Sequence, residues 1–150
     1  MSDSDLISLY SGPILALAAN IPLTGRLASP GGSAKKRSPA CGSTVTVDLV
    51  LQDGIVSGYA QEVRACALGQ ASAAILGRVV VGRSLTELQE ARDAVAAMLQ
   101  DASPPPPAPF EQYALLIPAR DFRNRHASIL LVLDAACDAA AQAAEQARQP

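Results

Sequence analysis

The chain has 150 residues, 49% of them hydrophobic and 17% charged, with a net charge of −2. That balance excludes a disordered tail and suits one domain over residues 1–150 with a core of its own. A weakly acidic chain with 3% aromatic residues and no Trp has neither general attraction to phosphate or anionic lipid nor a stacking platform for bases, so nucleic acid and membrane are not expected partners.

No uninterrupted apolar run approaches the roughly 20 residues that cross a bilayer. The opening Met-Ser-Asp-Ser-Asp is acidic where a signal peptide is basic, and the expected location is cytoplasmic. Three cysteines in that compartment read as thiols or metal ligands rather than as a disulfide framework.

In chain order, Leu6, Tyr10, Ile14 and Leu17 form a helical stripe from Asp3 to about Asn20. Pro13 is compatible with a main helix that starts there, capped by Ser11 or Gly12, or with a kink after a short first turn. Residues 27–40 are small, polar and basic, with Lys35-Lys36-Arg37 read as solvated charge, and suit a loop or an exposed edge strand. Thr44 to Leu51 alternates branched apolar and polar residues, broken at Val50. Gln52-Asp53-Gly54 then supplies a turn, and Ile55 to Val63 returns as the partner strand of an antiparallel hairpin.

Ala67 to Val80 is an Ala/Leu/Ile-rich helix closed by Gly82. Ser84-Leu85-Thr86-Glu87 is a capping box that opens a helix to about Gln100. Residues 101–109 hold five prolines and form a stiff loop without regular structure. A long Ala-rich helix follows from about Asn124 to Ala147, with Ile129, Leu130, Leu133 and Cys137 on one side. One helix, a small antiparallel sheet and then several helices define an α+β fold.

Cys41, Cys66 and His126, the only histidine, carry the chemistry. Two thiols and an imidazole suit zinc or a cluster iron and leave one coordination position open. Cys66 falls where strand gives way to helix, and a helix start offers a bound thiolate the positive end of the macrodipole; the alternative is a small thiol packed as a hydrophobe. Cys41 precedes Gly42 in a loop, where it is either a ligand and sulfur acceptor or an incidental surface thiol. Cys137 lies three turns beyond His126, about 16 Å along a helix, too far to share one ion, and is expected in the core.

The surrounding segments give the order of these residues its meaning. Leu9-Tyr10, Asn20-Ile21-Pro22 and Gly25, then Pro39-Ala40-Cys41-Gly42, Cys66 with Ala71-Ser72-Ala73, Gly82-Arg83-Ser84-Leu85 and His126-Ala127-Ser128 together resemble the IscU/NifU/SufU family of iron–sulfur scaffold proteins. The long span from Cys66 to His126 is most similar to the SufU branch.

The resemblance implies a three-stranded antiparallel sheet packed against several helices, and a zinc ion or iron–sulfur cluster held by Cys41, Cys66 and His126. It also implies Cys41 as a sulfur acceptor, and a cysteine desulfurase and downstream cluster carriers as partners. Two positions depart from the family pattern: Ser43 stands where the family has Asp, and the last segment has no cysteine. His126 corresponds either to the family's histidine, with Ala127 replacing the cysteine, or to that cysteine itself. The expected activity is cluster assembly or zinc-dependent sulfur acceptance. The alternatives are an adaptor that keeps the fold without assembling clusters, and a Cys–His enzyme in which His126 activates Cys66.

Overall fold

A computed structural model of the chain describes residues 10–39 and 42–148. Helix α1 (Gly12–Ala18) begins after Ser11 with a proline in its first turn and buries Ile14 and Leu17; of the two readings of Pro13, the helix start holds. The Asp3–Leu9 part of the expected helix lies outside the described residues. Strands β1 (Gly32–Arg37), β2 (Thr44–Gln52) and β3 (Ile55–Arg64) form one antiparallel sheet in the order β1-β2-β3. The basic triplet Lys35-Lys36-Arg37 therefore lies in an edge strand, where Lys36 Nζ pairs with Asp138 at 2.8 Å.

The β2–β3 turn puts Asp53 at φ 55° and Gly54 at φ 80°, the doubly positive pattern of a type I′ hairpin. Val50 pairs with Gly58 and Leu51 with Val56, so Ser57 is an inserted residue and the register shifts there. The inserted residue is on β3, so β2 itself keeps its two-residue period: Val50 is on the Asp48 face, half-buried, its side chain 3.7 Å from where a Gly58 Cβ would stand. The outer edge of β3 is partly covered by residues 23–25, through bonds from the Gln61 amide to the Leu23 carbonyl and from the Gly25 amide to the Gln61 carbonyl, both 2.9 Å.

Helices α2 (Ala67–Val79) and α3 (Leu85–Gln100) follow. The capping box opens α3: Ser84 Oγ accepts from the Glu87 amide and Glu87 Oε1 from the Ser84 amide, each at 3.1 Å. Residues 102–107 carry no regular structure, as the prolines require. A 3₁₀ helix over Glu111–Asp121 and a short one over Arg123–Arg125 then lead into α4 (His126–Ala147). The Glu111–Asp121 element was not anticipated. Its buried Tyr113 donates to the Ser72 carbonyl at 3.0 Å, and Ser72 Oγ donates to the Ile129 carbonyl at 2.7 Å, which ties this segment to α2 and α4.

The core lies between the sheet face bearing Val45, Val47 and Leu49 and helix α4, with α2 and α3 flanking α4. The stretch Arg123–Ala147, most of it α4, also has the length and mean hydropathy, 1.4, of a membrane span, although it contains no long uninterrupted apolar run. The run Ile129–Leu133, with alanines spread among polar residues after it, supplies that hydropathy, and 61% of the stretch is buried inside the protein.

Asp48 lies on the opposite face of β2 from Val47 and Leu49, yet its side chain is fully buried. Its carboxylate accepts from Arg26 Nε (2.7 Å), Ser33 Oγ (2.6 Å) and the Leu27 amide (3.1 Å). Burial pushes the carboxyl upward, but these bonds outweigh it and hold the group below its ordinary value. The stability Asp48 contributes is therefore complete above the unfolded-state pKa of about 3.9 and is lost as pH falls through the lower folded value. In acid unfolding followed by circular dichroism, Asp48→Asn should flatten the stability loss below about pH 4; an acid limb as steep as wild type would refute this.

Candidate metal site

Strand β3 ends at Arg64 and α2 begins at Ala67, so Cys66 is the N-cap of α2, with extended backbone (φ −66°, ψ 171°). Its half-buried thiol makes no capping bond. Instead Sγ lies 3.3 Å from Ser128 Oγ in the first turn of α4. Ser128 is 2% exposed, and its hydroxyl is also 3.3 Å from Ser43 Oγ, which precedes β2.

This meeting of distant segments depends on a glycine. A Cβ at Gly69 would lie 2.7 Å from Ala65 Cβ and 2.9 Å from Ser128 Oγ, closer than non-bonded atoms tolerate. Neither Gly69 nor Ser128 was singled out as a site residue from sequence. A glycine in the first turn of an otherwise Ala-rich helix was the one available signal.

His126 opens α4 and is 6% exposed. Its Nε2 is 3.0 Å from the carbonyl oxygens of both Ala119 and Arg120. Carbonyls only accept, so Nε2 carries a proton, and in the neutral imidazole the lone pair falls on Nδ1. This is the division of labour seen in metal-binding histidines, whose second nitrogen is anchored to a carbonyl or carboxylate. The residue borders a cleft of about 720 Å³ shared with Arg37, Ser38, Pro39, Arg123 and Ala127.

Cys66 and His126 thus contact different neighbours around the first turn of α4: Cys66 meets Ser128, whereas His126 faces the cleft. Cys41 lies outside the described residues. Of the described residues near it in sequence, Pro39 lines the cleft and Ser43 joins the Cys66 cluster, and the Ser38 amide donates to the Ser43 carbonyl at 2.9 Å. Among the described residues no three His, Cys, Asp or Glu side chains form a group that could hold a metal.

The donor chemistry present does fit a soft or borderline ion: a thiol at a helix start and an imidazole of fixed tautomer. Of the positions that depart from the family pattern, Ser43 is bonded to Ser128, and Ala127 is exposed in the cleft. Cys137 is half-buried rather than fully in the core, lining a surface hollow with Lys36, Arg92, Asp134 and Asp138. Burial and the neighbouring Asp134 and Asp138 push its thiol up to about 12, so it stays protonated at neutral pH.

No protein-family model and no curated protein matches the sequence, whereas solved structures match it over most of its length. A nitrogen-fixing NifU-like protein (N-terminal) from Brucella abortus superposes with a TM-score of 0.91 and 43% identity, over 94% of this chain and 98% of that one. A protein from the thermophile Fervidobacterium islandicum AW-1, assigned as an iron–sulfur cluster assembly scaffold for the SUF system, gives a TM-score of 0.77 at 17% identity, over 88% of this chain and 96% of that one. The second shares the fold alone, the three-stranded antiparallel sheet and surrounding helices described above. The first shares sequence as well, and the chain belongs to the IscU/NifU/SufU-like family.

Proposed function

We propose that the protein is an iron–sulfur cluster assembly scaffold, or a zinc-dependent sulfur acceptor, that works in the cytoplasm with a cysteine desulfurase and passes its product to cluster carriers. The observation that carries this reading is Cys66 at the start of α2, its sulfur half-buried beside the first turn of α4, in a chain whose sequence is 43% identical to a NifU-like protein (N-terminal). Cys41, Cys66 and His126 through Nδ1 would hold the zinc or the nascent cluster, which would keep the thiols deprotonated.

In sulfur acceptance the Cys41 thiolate attacks the sulfane sulfur of the donor's persulfide. The donor's S–S bond breaks, its cysteine leaves as a thiolate, and Cys41 becomes the persulfide. Protein purified anaerobically should contain zinc, or iron with acid-labile sulfide, and Cys66→Ala should lower that content at least tenfold, as expected when one of three protein ligands is removed. Metal-free wild type, or full retention by Cys66→Ala and Cys41→Ala, would overturn the reading.

The engagement of Ser43 by Ser128 and the lack of a donor at Ala127 favour one other reading, an adaptor that keeps the fold without building clusters. That protein would bind the desulfurase equally well after Cys41→Ala and His126→Ala, where a scaffold would lose sulfur uptake.

A further inference from the structure

We propose that Ser43 and Ser128 form a hydrogen-bond relay that orients Cys66 for metal binding, so that Ser43 serves the site as a positioning residue rather than as a ligand. The inference rests on the reading of Cys66 as a metal ligand.

The geometry is a chain of three side chains from three parts of the fold. Ser43 precedes β2, Ser128 is in the first turn of α4, and Cys66 caps α2, with 3.3 Å separations at both links. Both hydroxyls are nearly sealed from solvent, at 4% and 2% exposure, so water cannot substitute for either partner. A buried hydroxyl without a partner is unfavourable, and Ser128 has these two at hand.

Metal binding fixes the direction of the chain. A free thiol can donate to Ser128, but a coordinated thiolate has no proton and only accepts. Ser128 must then donate to Cys66 Sγ, which leaves its own oxygen free to accept from Ser43. A hydroxyl donated to a ligand sulfur holds the side chain in one rotamer and stabilises its negative charge, as the outer partners of metal ligands do. The two links differ in strength. An O···S distance of 3.3 Å suits the larger sulfur atom, whereas 3.3 Å is long for O–H···O, whose usual range is about 2.5–3.0 Å. Ser128 therefore carries most of the effect, and Ser43 supports it.

The arrangement also accounts for the close passage of α2 and α4. Gly69 admits Ser128 Oγ to a position where a Cβ would lie 2.9 Å away, and a looser helix pair would place that hydroxyl out of reach of Cys66.

The test is titration of the metal-free protein with cobalt(II), with zinc competition for affinity. Wild type should show a thiolate-to-cobalt charge-transfer band. Ser128→Ala should bind about 10–100-fold more weakly with a displaced band. Ser128→Thr, which keeps the hydroxyl, should restore the band, and Ser43→Ala should weaken binding only a few-fold. A change confined to packing would alter thermal stability of the metal-free protein and leave the band where it was.

Ser128→Ala with wild-type affinity and spectrum overturns the relay while leaving Cys66 as a ligand. A wild type that binds no cobalt removes both the relay and the proposed function. If Ser128→Ala fails to fold, Ser43→Ala decides: weaker binding at an unchanged thermal midpoint supports the relay, and identical affinity overturns it.

Discussion

Gly32→Ala should destabilise the protein by at least about 3 kcal/mol, the upper range for overpacking a closed site. A Cβ at this position would run into the Ala139 carbonyl oxygen and lie 2.9 Å from both the Ala139 carbonyl carbon and the Ala143 nitrogen. All three obstacles are backbone atoms of α4, so no side-chain rotation relieves the clash. Relief requires β1 to lift from the helix, and with it Ala34 and the facing Val47 and Leu49, which are buried against α4. Urea unfolding would measure the loss, and a change below about 1 kcal/mol would show that strand and helix separate easily. The same contact explains why the buried face of α4 holds Ala135, Ala136, Ala139, Ala140 and Ala143: the sheet edge packs directly against the helix backbone.

Gln61→Met should cost about 3 kcal/mol although it preserves shape, because it strands three polar groups. Gln61 is fully buried; its Nε2 donates to the Pro22 and Ala73 carbonyls at 3.0 and 3.1 Å, and its Oε1 accepts from Tyr59 at 3.1 Å. Burial holds the Tyr59 phenol far above its ordinary value, so it remains a donor throughout the working pH range. Adding Tyr59→Phe removes one orphaned group, and the double variant should recover part of the loss in a double-mutant cycle. Strict additivity would count against a shared network. Gly77 belongs to the same junction, since a Cβ there would lie 2.8 Å from Pro22 Cγ and 2.9 Å from Gln61 Nε2.

Most regular elements were legible because their signals are local. Branched residues mark β2, Asp53-Gly54 marks the hairpin, and Ser84 with Glu87 marks the start of α3. The 3₁₀ helix at Glu111–Asp121 was hidden by Pro118 and the prolines before it, although Tyr113, Leu116 and Ala119 recur at the three-residue period of that helix.

The site was legible in part. Cys66 could be placed at the strand-to-helix handover from the change in residue type alone. The bond between Cys66 and Ser128 crosses 62 residues and depends on the missing side chain at Gly69, which no short-range pattern encodes. The partners of His126 are backbone carbonyls, which carry no residue identity and leave no trace in the sequence. Cys137 was expected in the core, where it shares a helix side with Leu130 and Leu133; it does pack against the core, but half-buried at its rim, beside Lys36, Arg92 and Asp134.

Helix α4 packs on β1, β2, α2 and α3, and contacts of such reach along the chain bear on how the protein folds. The Ser33 amide donates to Gln142 Oε1 across 109 residues, so closing the sheet over its helix means bringing together segments far apart in the chain. Contacts of that span are slow to form, because the entropy of the intervening loop is lost before any burial repays it. On the ribosome the hairpin and α2 emerge first, and the Val45, Val47 and Leu49 face stays bare until residues near 143 are made. Cys66 and Ser128, 62 residues apart, can meet only in that final step, after synthesis has passed them both.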